Sequence, residues 1–139
     1  MALKIKKEQF KTVNYSQDES VVIISINRPE AMNSFNAELR SELLLALKKA
    51  VLADDIRAII INGNGRNFSA GADLKDTDDA QKSLEEVLNN EYRPIFNLIS
   101  DINIPVIASV HGSAAGIGLS LALCCDLIIM SDDAFLLAP

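Results

Sequence analysis

Apolar residues fall into short runs of strand length, separated by stretches with helical spacing. Val21, Val22, Ile23, Ile24 and Ile26 form a nearly continuous run, as expected of a strand covered on both faces. Residues 10–15 and 20–27 read as an opening antiparallel pair, with a polar turn at Gln17-Asp18-Glu19. Arg28-Pro29-Glu30 should end the second strand, because proline cannot donate to the ladder. Asn36 is placed to cap a helix running to about Ala53. Leu39, Leu43, Leu47 and Val51 recur four apart along it, and Leu44 and Ala50 widen the stripe. Glu38 in its first turn and Lys48 and Lys49 in its last suit the helix dipole.

The pattern then alternates. Ile56, Ala58, Ile59, Ile60 and Ile61 predict the next strand, residues 104–110 a third core strand, and 127–130 a fourth. Residues 76–79 are acidic and expected at the surface. Asp78 or Asp79 is placed to cap a helix with Leu84, Val87, Leu88, Tyr92, Ile95 and Ile99 on its apolar side. Pro94 should kink or restart that helix. A short apolar helix is expected over 116–125. Strand pair, helix, strand, helix, strand, helix, strand is an α/β order, with mostly parallel pairing and right-handed crossovers.

Two glycine-rich turns stand out against this frame. They are Phe68-Ser69-Ala70-Gly71-Ala72-Asp73-Leu74-Lys75 and His111-Gly112-Ser113-Ala114-Ala115-Gly116-Ile117-Gly118. Each follows an expected buried strand and leads towards a helical pattern. Small residues let another backbone or a ligand come close. A helix starting near Gly116 adds unpaired N–H groups and the positive end of its dipole. Strand ends of this kind compose an oxyanion-binding site.

Composition narrows the function classes. The 139 residues carry a net charge of −6, so no basic footprint points to nucleic acid. Asp or Lys interrupts every apolar run before it reaches membrane-spanning length. Lys4, Lys6 and Lys7 are followed by Glu8 and not by the apolar core of a secretory signal. Cys124 and Cys125 are adjacent, which makes neither a disulfide framework nor a metal spacing. Buried thiols, a reducing compartment and a cytoplasmic location follow. Gly116-x-Gly118 lacks the third glycine of a dinucleotide fingerprint, and no phosphate-binding P-loop run exists. The last residues, 134–139, are apolar where domain ends are usually polar, so residues 1–139 are expected to be one incomplete domain.

Four stretches in order resemble the crotonase superfamily, also called the enoyl-CoA hydratase/isomerase family. They are Asn27-Arg28-Pro29-Glu30-Ala31-Met32-Asn33-Ser34, Asn67-Phe68-Ser69-Ala70-Gly71-Ala72-Asp73-Leu74, the run from Pro105 through His111-Gly112 to Gly116, and Cys125-Asp126. The resemblance implies a spiral of repeated strand–strand–helix units, here without the helical C-terminal region that helps form trimers. It implies an acyl-CoA thioester as substrate, coenzyme A being part of that substrate, with no separate cofactor and no metal. It also implies a homo-oligomer in fatty-acid or related acyl-CoA metabolism. By the same resemblance, the backbone N–H groups of Ala72 and Ile117 hold the thioester oxygen. The family usually has Gly at the second position, and Ile narrows the acyl pocket. Ala31, Ala70 and Asp73-Leu74-Lys75 lie where family members contact coenzyme A, with Gly71 and Gly116 in the same turns, and Lys75 is placed to meet phosphates.

Departures from the family pattern shape the expected chemistry. Ser120 stands where hydratase-type members carry one catalytic glutamate, and a hydroxyl needs an activating partner to act as a base. The second glutamate would follow Pro139. Isomerisation or another enolate reaction is therefore as well supported as hydration, with weak or no activity expected of these 139 residues alone. Two other readings compete. A peptidase would need an activated serine, and only Ser113 near His111 offers one, although Gly-Ser-Ala-Ala-Gly is not a nucleophile elbow. A non-catalytic CoA-binding module is the other. His111 reads better as a turn histidine bonded to backbone than as a base, and Asp126 as a structural hydrogen-bonder. Asp73 is balanced between touching CoA and capping its own turn.

Overall fold

The computed structural model describes residues 10–76 and 81–138. In chain order the elements are β1 (Val13–Asp18), β2 (Val21–Ile26), a 3₁₀ turn (Pro29–Ala31), α1 (Ala37–Leu52) and β3 (Ala58–Gly63). There follow α2 (Leu84–Val87), a π turn (Leu88–Tyr92), α3 (Arg93–Asp101), β4 (Val106–Val110), β5 (Ser113–Ala115), α4 (Ile117–Cys124), β6 (Leu127–Met130) and β7 (Phe135–Leu137). Five strands form one sheet in the order β1-β2-β3-β4-β6; only the β1–β2 pair is antiparallel. The α/β class and mostly parallel sheet expected from the sequence are present.

Packing explains which apolar positions count. Val22, Ile24, Ile59, Ile61, Val106 and Ala108 lie on one sheet face and are fully buried. Over them pack Leu39, Leu43, Ala46, Leu47 and Ala50 of α1, with Ile95 and Ile99 of α3. Each fully buried Leu or Ile contributes about 1.5–3 kcal/mol relative to exposure. Ile23, Ile60 and Ile107, on the other face, are only half-buried. The β2 run is thus fully covered on one side, where its composition had suggested two. Val51, Leu84 and Leu88 are exposed despite their helical spacing, because α1 ends and α2 begins beyond the edge of the core.

Several boundaries are set by specific polar groups. Asn36 Oδ1 accepts the Leu39 N–H at 2.8 Å, as an N-cap should. Asp76 Oδ2 accepts the Ala37 N–H at 2.9 Å and faces the buried Arg40 guanidinium at 3.9 Å, so Asp76 is not the surface residue its acidic neighbourhood suggested. Arg40 also reaches Glu91 at 3.3 Å and lies over the Tyr92 ring, which neutralises its buried charge. Asp78 and Asp79 lie outside the described residues; the cap of α2 is Ser83, whose Oγ accepts the Glu86 N–H at 3.1 Å. Pro94 sits in the first turn of α3, where a missing N–H costs little, and the preceding turn widens to π geometry to meet it. The β1–β2 turn is one step later than expected. Gln17 and Asp18 still pair with Val22 and Val21, and Glu19, at φ 51°, starts the reversal.

A second, two-stranded sheet was not anticipated. Strand β5 pairs parallel with β7, and both are only three residues long, too short for a periodic signal. Asp126 is the structural hydrogen-bonder expected: its Oδ2 accepts the Val106 N–H at 2.8 Å and aligns β6 with β4.

Candidate oxyanion site

Residues 68–73 run as a central thread between two other segments. On one side, Phe68 N–H donates to His111 O, Ser69 N–H to Ser113 O and Ala115 N–H to Ser69 O. On the other, Phe35 N–H donates to Gly71 O at 2.7 Å and Asp73 N–H to Phe35 O at 2.9 Å. These bonds make parallel bridges, Ser69 with Ala114 and Ala72 with Phe35. In that register the Ala72 N–H points away from Phe35, and it meets no acceptor among the described residues.

The second turn delivers a similar group. Gly116 caps α4 at φ 55°, and its own N–H donates to Leu137 O at 3.1 Å. Ile117 is the first helical residue, so its N–H has no partner within the helix. Gly71 and Gly116, the residues before the two candidate donors, lie close together: a Cβ added to Gly116 would fall 3.8 Å from Gly71 Cα. Gly71, at φ 107°, holds a backbone conformation that favours glycine, and a Cβ there would come 3.1 Å from Ala115 O. The two turns therefore come together with one N–H on each, Ala72 and Ile117, that meets no backbone acceptor among the described residues.

The other sequence-derived positions lie on the segments that border the two turns. Ala31 ends the 3₁₀ turn, and Ala70 N–H donates to Met32 O at 3.0 Å, which joins the first motif to the second. Leu74 is 97% exposed, and Lys75 is exposed beside it. Asp73 has both oxygens engaged: Oδ1 accepts the Lys75 N–H at 2.9 Å and Oδ2 pairs with Arg28 at 3.0 Å. Lys75 N–H and Arg28 hold its carboxyl below the usual carboxylate range, against the opposing effect of burial. Ser120 is exposed on α4, and its Oγ donates back to Gly116 O at 3.4 Å. Among the described residues no carboxylate hydrogen-bonds to it to make it a base.

The serine–histidine pair that a peptidase would require is not formed. Ser113 Oγ donates to Asn67 Oδ1 at 2.9 Å, whereas His111 Nε2 donates to Gly65 O at 2.7 Å. His111 is the backbone-bonded turn histidine expected. The Cys124 and Cys125 thiols both donate to Leu121 O. The adjoining Cys124 thiol and burial together push the Cys125 thiol up. Among the described residues no cluster of His, Cys, Asp or Glu is assembled to hold a metal, and no helix is long and apolar enough to cross a membrane.

Sequence reasoning gave no role to the amide groups that build the junction. Asn33, fully buried, accepts the Arg28 N–H through Oδ1 at 2.8 Å. Its Nδ2 donates to Asn64 O and Asn67 O at 2.8 and 2.7 Å. Asn67 Oδ1 in turn accepts from Ser113 N–H and Oγ. Both asparagines belong to the quoted motifs, but nothing in their spacing marks them as partners of these backbone groups.

An enoyl-CoA hydratase/isomerase family model matches residues 16–139. The chain belongs to the enoyl-CoA hydratase/isomerase family. A Rhodobacter capsulatus protein named "probable enoyl-CoA hydratase" is 41% identical over 125 residues, covering 90% of this chain and 48% of that protein. The 1,2-epoxyphenylacetyl-CoA isomerase of Escherichia coli is 36% identical over 125 residues, covering 84% of this chain and 46% of its own. The crystal structure of a "probable enoyl-CoA hydratase" from Mycobacterium smegmatis superposes with a TM-score of 0.82 at 36% identity, covering 93% of this chain and 52% of that one. The chain thus spans about half the length of the curated relatives it matches. The fold has the crotonase-type architecture of these neighbours, and this family includes both hydratases and an isomerase among the relatives.

Proposed function

We propose that the chain binds an acyl-CoA thioester and stabilises its enolate through the backbone N–H groups of Ala72 and Ile117. The observation that supports this reading best is the close approach of Gly71 and Gly116, which brings together two turns whose Ala72 and Ile117 N–H groups meet no acceptor among the described residues. Removing the α-proton of a thioester shifts negative charge onto the carbonyl oxygen. Two preset donors meet that charge without reorganising, and one such donor is typically worth a few kcal/mol of barrier. Ile117 adds the positive end of the α4 dipole.

Binding and chemistry separate in this reading. Ala31, Ala70, Gly71, Leu74, Lys75 and Gly116 line the approach to the junction, with the Lys75 ammonium free in solvent to meet phosphate. Asp73 acts by shaping the turn. Ser120 supplies no carboxylate, and proton transfer by a placed acid or base is itself worth about 10²–10⁴-fold. An isomerase-type reaction, or another enolate reaction, needs only one such group, and in the whole protein hydration is no better supported. The site belongs in cytoplasmic acyl-CoA metabolism, in a homo-oligomer.

The test pairs isothermal titration of a non-reactive acyl-CoA thioether with a spectrophotometric crotonyl-CoA hydration assay. The expected result for the 139-residue chain is weak binding with hydration at background. Robust hydration would mean that the acid and base lie elsewhere than argued. Absence of binding would overturn the proposal for this chain.

A further inference from the structure

The two glycine turns converge on one side chain. Ser69 is fully buried. Its Oγ donates to Asn33 O at 2.8 Å and accepts the Gly71 N–H at 3.3 Å. Its backbone N–H and C=O are taken by Ser113 O and the Ala115 N–H. Its side chain also lies against α4: a Cβ on Gly118 would fall 2.7 Å from Ser69 Cβ and 2.9 Å from its Oγ. Ser69 therefore touches the residue before one proposed donor, Gly71 before Ala72, and the residue after the other, Gly118 after Ile117.

We propose that Ser69 is a positioning residue that sets the direction of the Ala72 N–H relative to the Ile117 N–H. This rests on the reading of those two groups as oxyanion donors. Gly71 is the weak point of the turn, since glycine has the widest backbone freedom. Phe35 N–H holds the Gly71 carbonyl, on the peptide plane that also carries the Ala72 N–H. Ser69 Oγ holds the Gly71 N–H on the preceding plane. Between them the two clamps fix both dihedrals of Gly71. The contact with Gly118 references that geometry to the first turn of α4. An oxyanion donor works only when it points at the developing charge from hydrogen-bond distance, so a loosened Gly71 weakens polarisation even if a ligand still binds. Alanine at position 69 would also leave Asn33 O and the Gly71 N–H unpaired in a buried place.

The experiment uses the 139-residue chain, Ser69→Ala and Ser69→Cys, with butyryl-CoA labelled with ¹³C at the thioester carbonyl. Infrared difference spectra read the carbonyl stretch of the bound ligand, and titration reads affinity. The unsubstituted chain should lower the stretch below its value in water. Ser69→Ala should bind about tenfold more weakly and return the bound stretch most of the way to the free value. Ser69→Cys, similar in size and able to hydrogen-bond, should recover much of the shift. Amide exchange gives a readout without ligand: Ser69→Ala should speed exchange at both Gly71 and Ser120, whose N–H closes the first turn of α4. A Ser69→Ala stretch equal to that of the unsubstituted chain would overturn the inference and leave Ser69 a purely structural residue. Unchanged exchange at Ser120 would overturn the link between the turns. No shift in the unsubstituted chain would instead overturn the oxyanion reading beneath it.

Discussion

Arg28 Nη2 lies 3.0 Å from Asp73 Oδ2 and ties the segment after β2 to the turn that carries Ala72. The other oxygen of Asp73 caps the turn at Lys75 N–H, 2.9 Å away. With both oxygens engaged in the protein, the carboxylate shapes the turn. Its pKa is depressed in the folded chain, first by the Lys75 N–H and then by Arg28. Such a group stabilises the fold above its unfolded value, near 4, and loses that contribution as pH falls through the lower folded value. The thermal midpoint of Asp73→Asn should therefore decline less between pH 5 and pH 2 (about the range of these pKa values) than that of the unsubstituted chain. Parallel declines would contradict the assignment.

Gly118 sits inside α4, where alanine would ordinarily gain about 1 kcal/mol in helix propensity. Here its Cβ would fall 2.6 Å from Ser69 O. The contact is with backbone, so it cannot be relieved by a rotamer change. Gly118→Ala should lower stability by about 1–3 kcal/mol in denaturant titration; a gain would show that α4 is free to slide.

Ser113 and His111 take different partners, Asn67 Oδ1 and Gly65 O. A fluorophosphonate probe should leave the chain unlabelled. Labelling at Ser113, abolished by Ser113→Ala, would revive the peptidase reading.

Leu123, Leu127, Ile129, Phe135 and Leu137 are each more than half exposed and lie on α4, β6 and β7. Apolar surface grouped in this way favours association. Sedimentation at micromolar concentration should show self-association of the chain, reduced in Leu127→Glu/Ile129→Glu. A strictly monomeric unsubstituted chain would contradict this.

The fold was legible wherever a run was long enough to show its period. The leucines of α1 and the isoleucines of β2 and β3 announced themselves, as did the Asn36 cap. The misplacements have local causes. Asp76 looked exposed because its partner, Arg40, is distant in sequence and buried. Val51, Leu84 and Leu88 kept the helical spacing where no core remained to receive them. Strands β5 and β7 are too short to leave a pattern. Within the candidate site the glycine turns were visible because small residues cluster there. Asn33, Asn67 and Ser69, which hold those turns in place, were quoted only as motif residues, because a polar side chain shows its role only when its partners are known.

Two backbone amides are proposed to act at one oxygen, and amide resonances follow each of them separately. In a ¹⁵N-resolved titration with butyryl-CoA, the Ala72 and Ile117 N–H signals should both move downfield and saturate together, while amides outside the two turns, such as that of Leu52 at the end of α1, stay in place. Movement of only one of the two, or of neither at saturating ligand, would contradict the account.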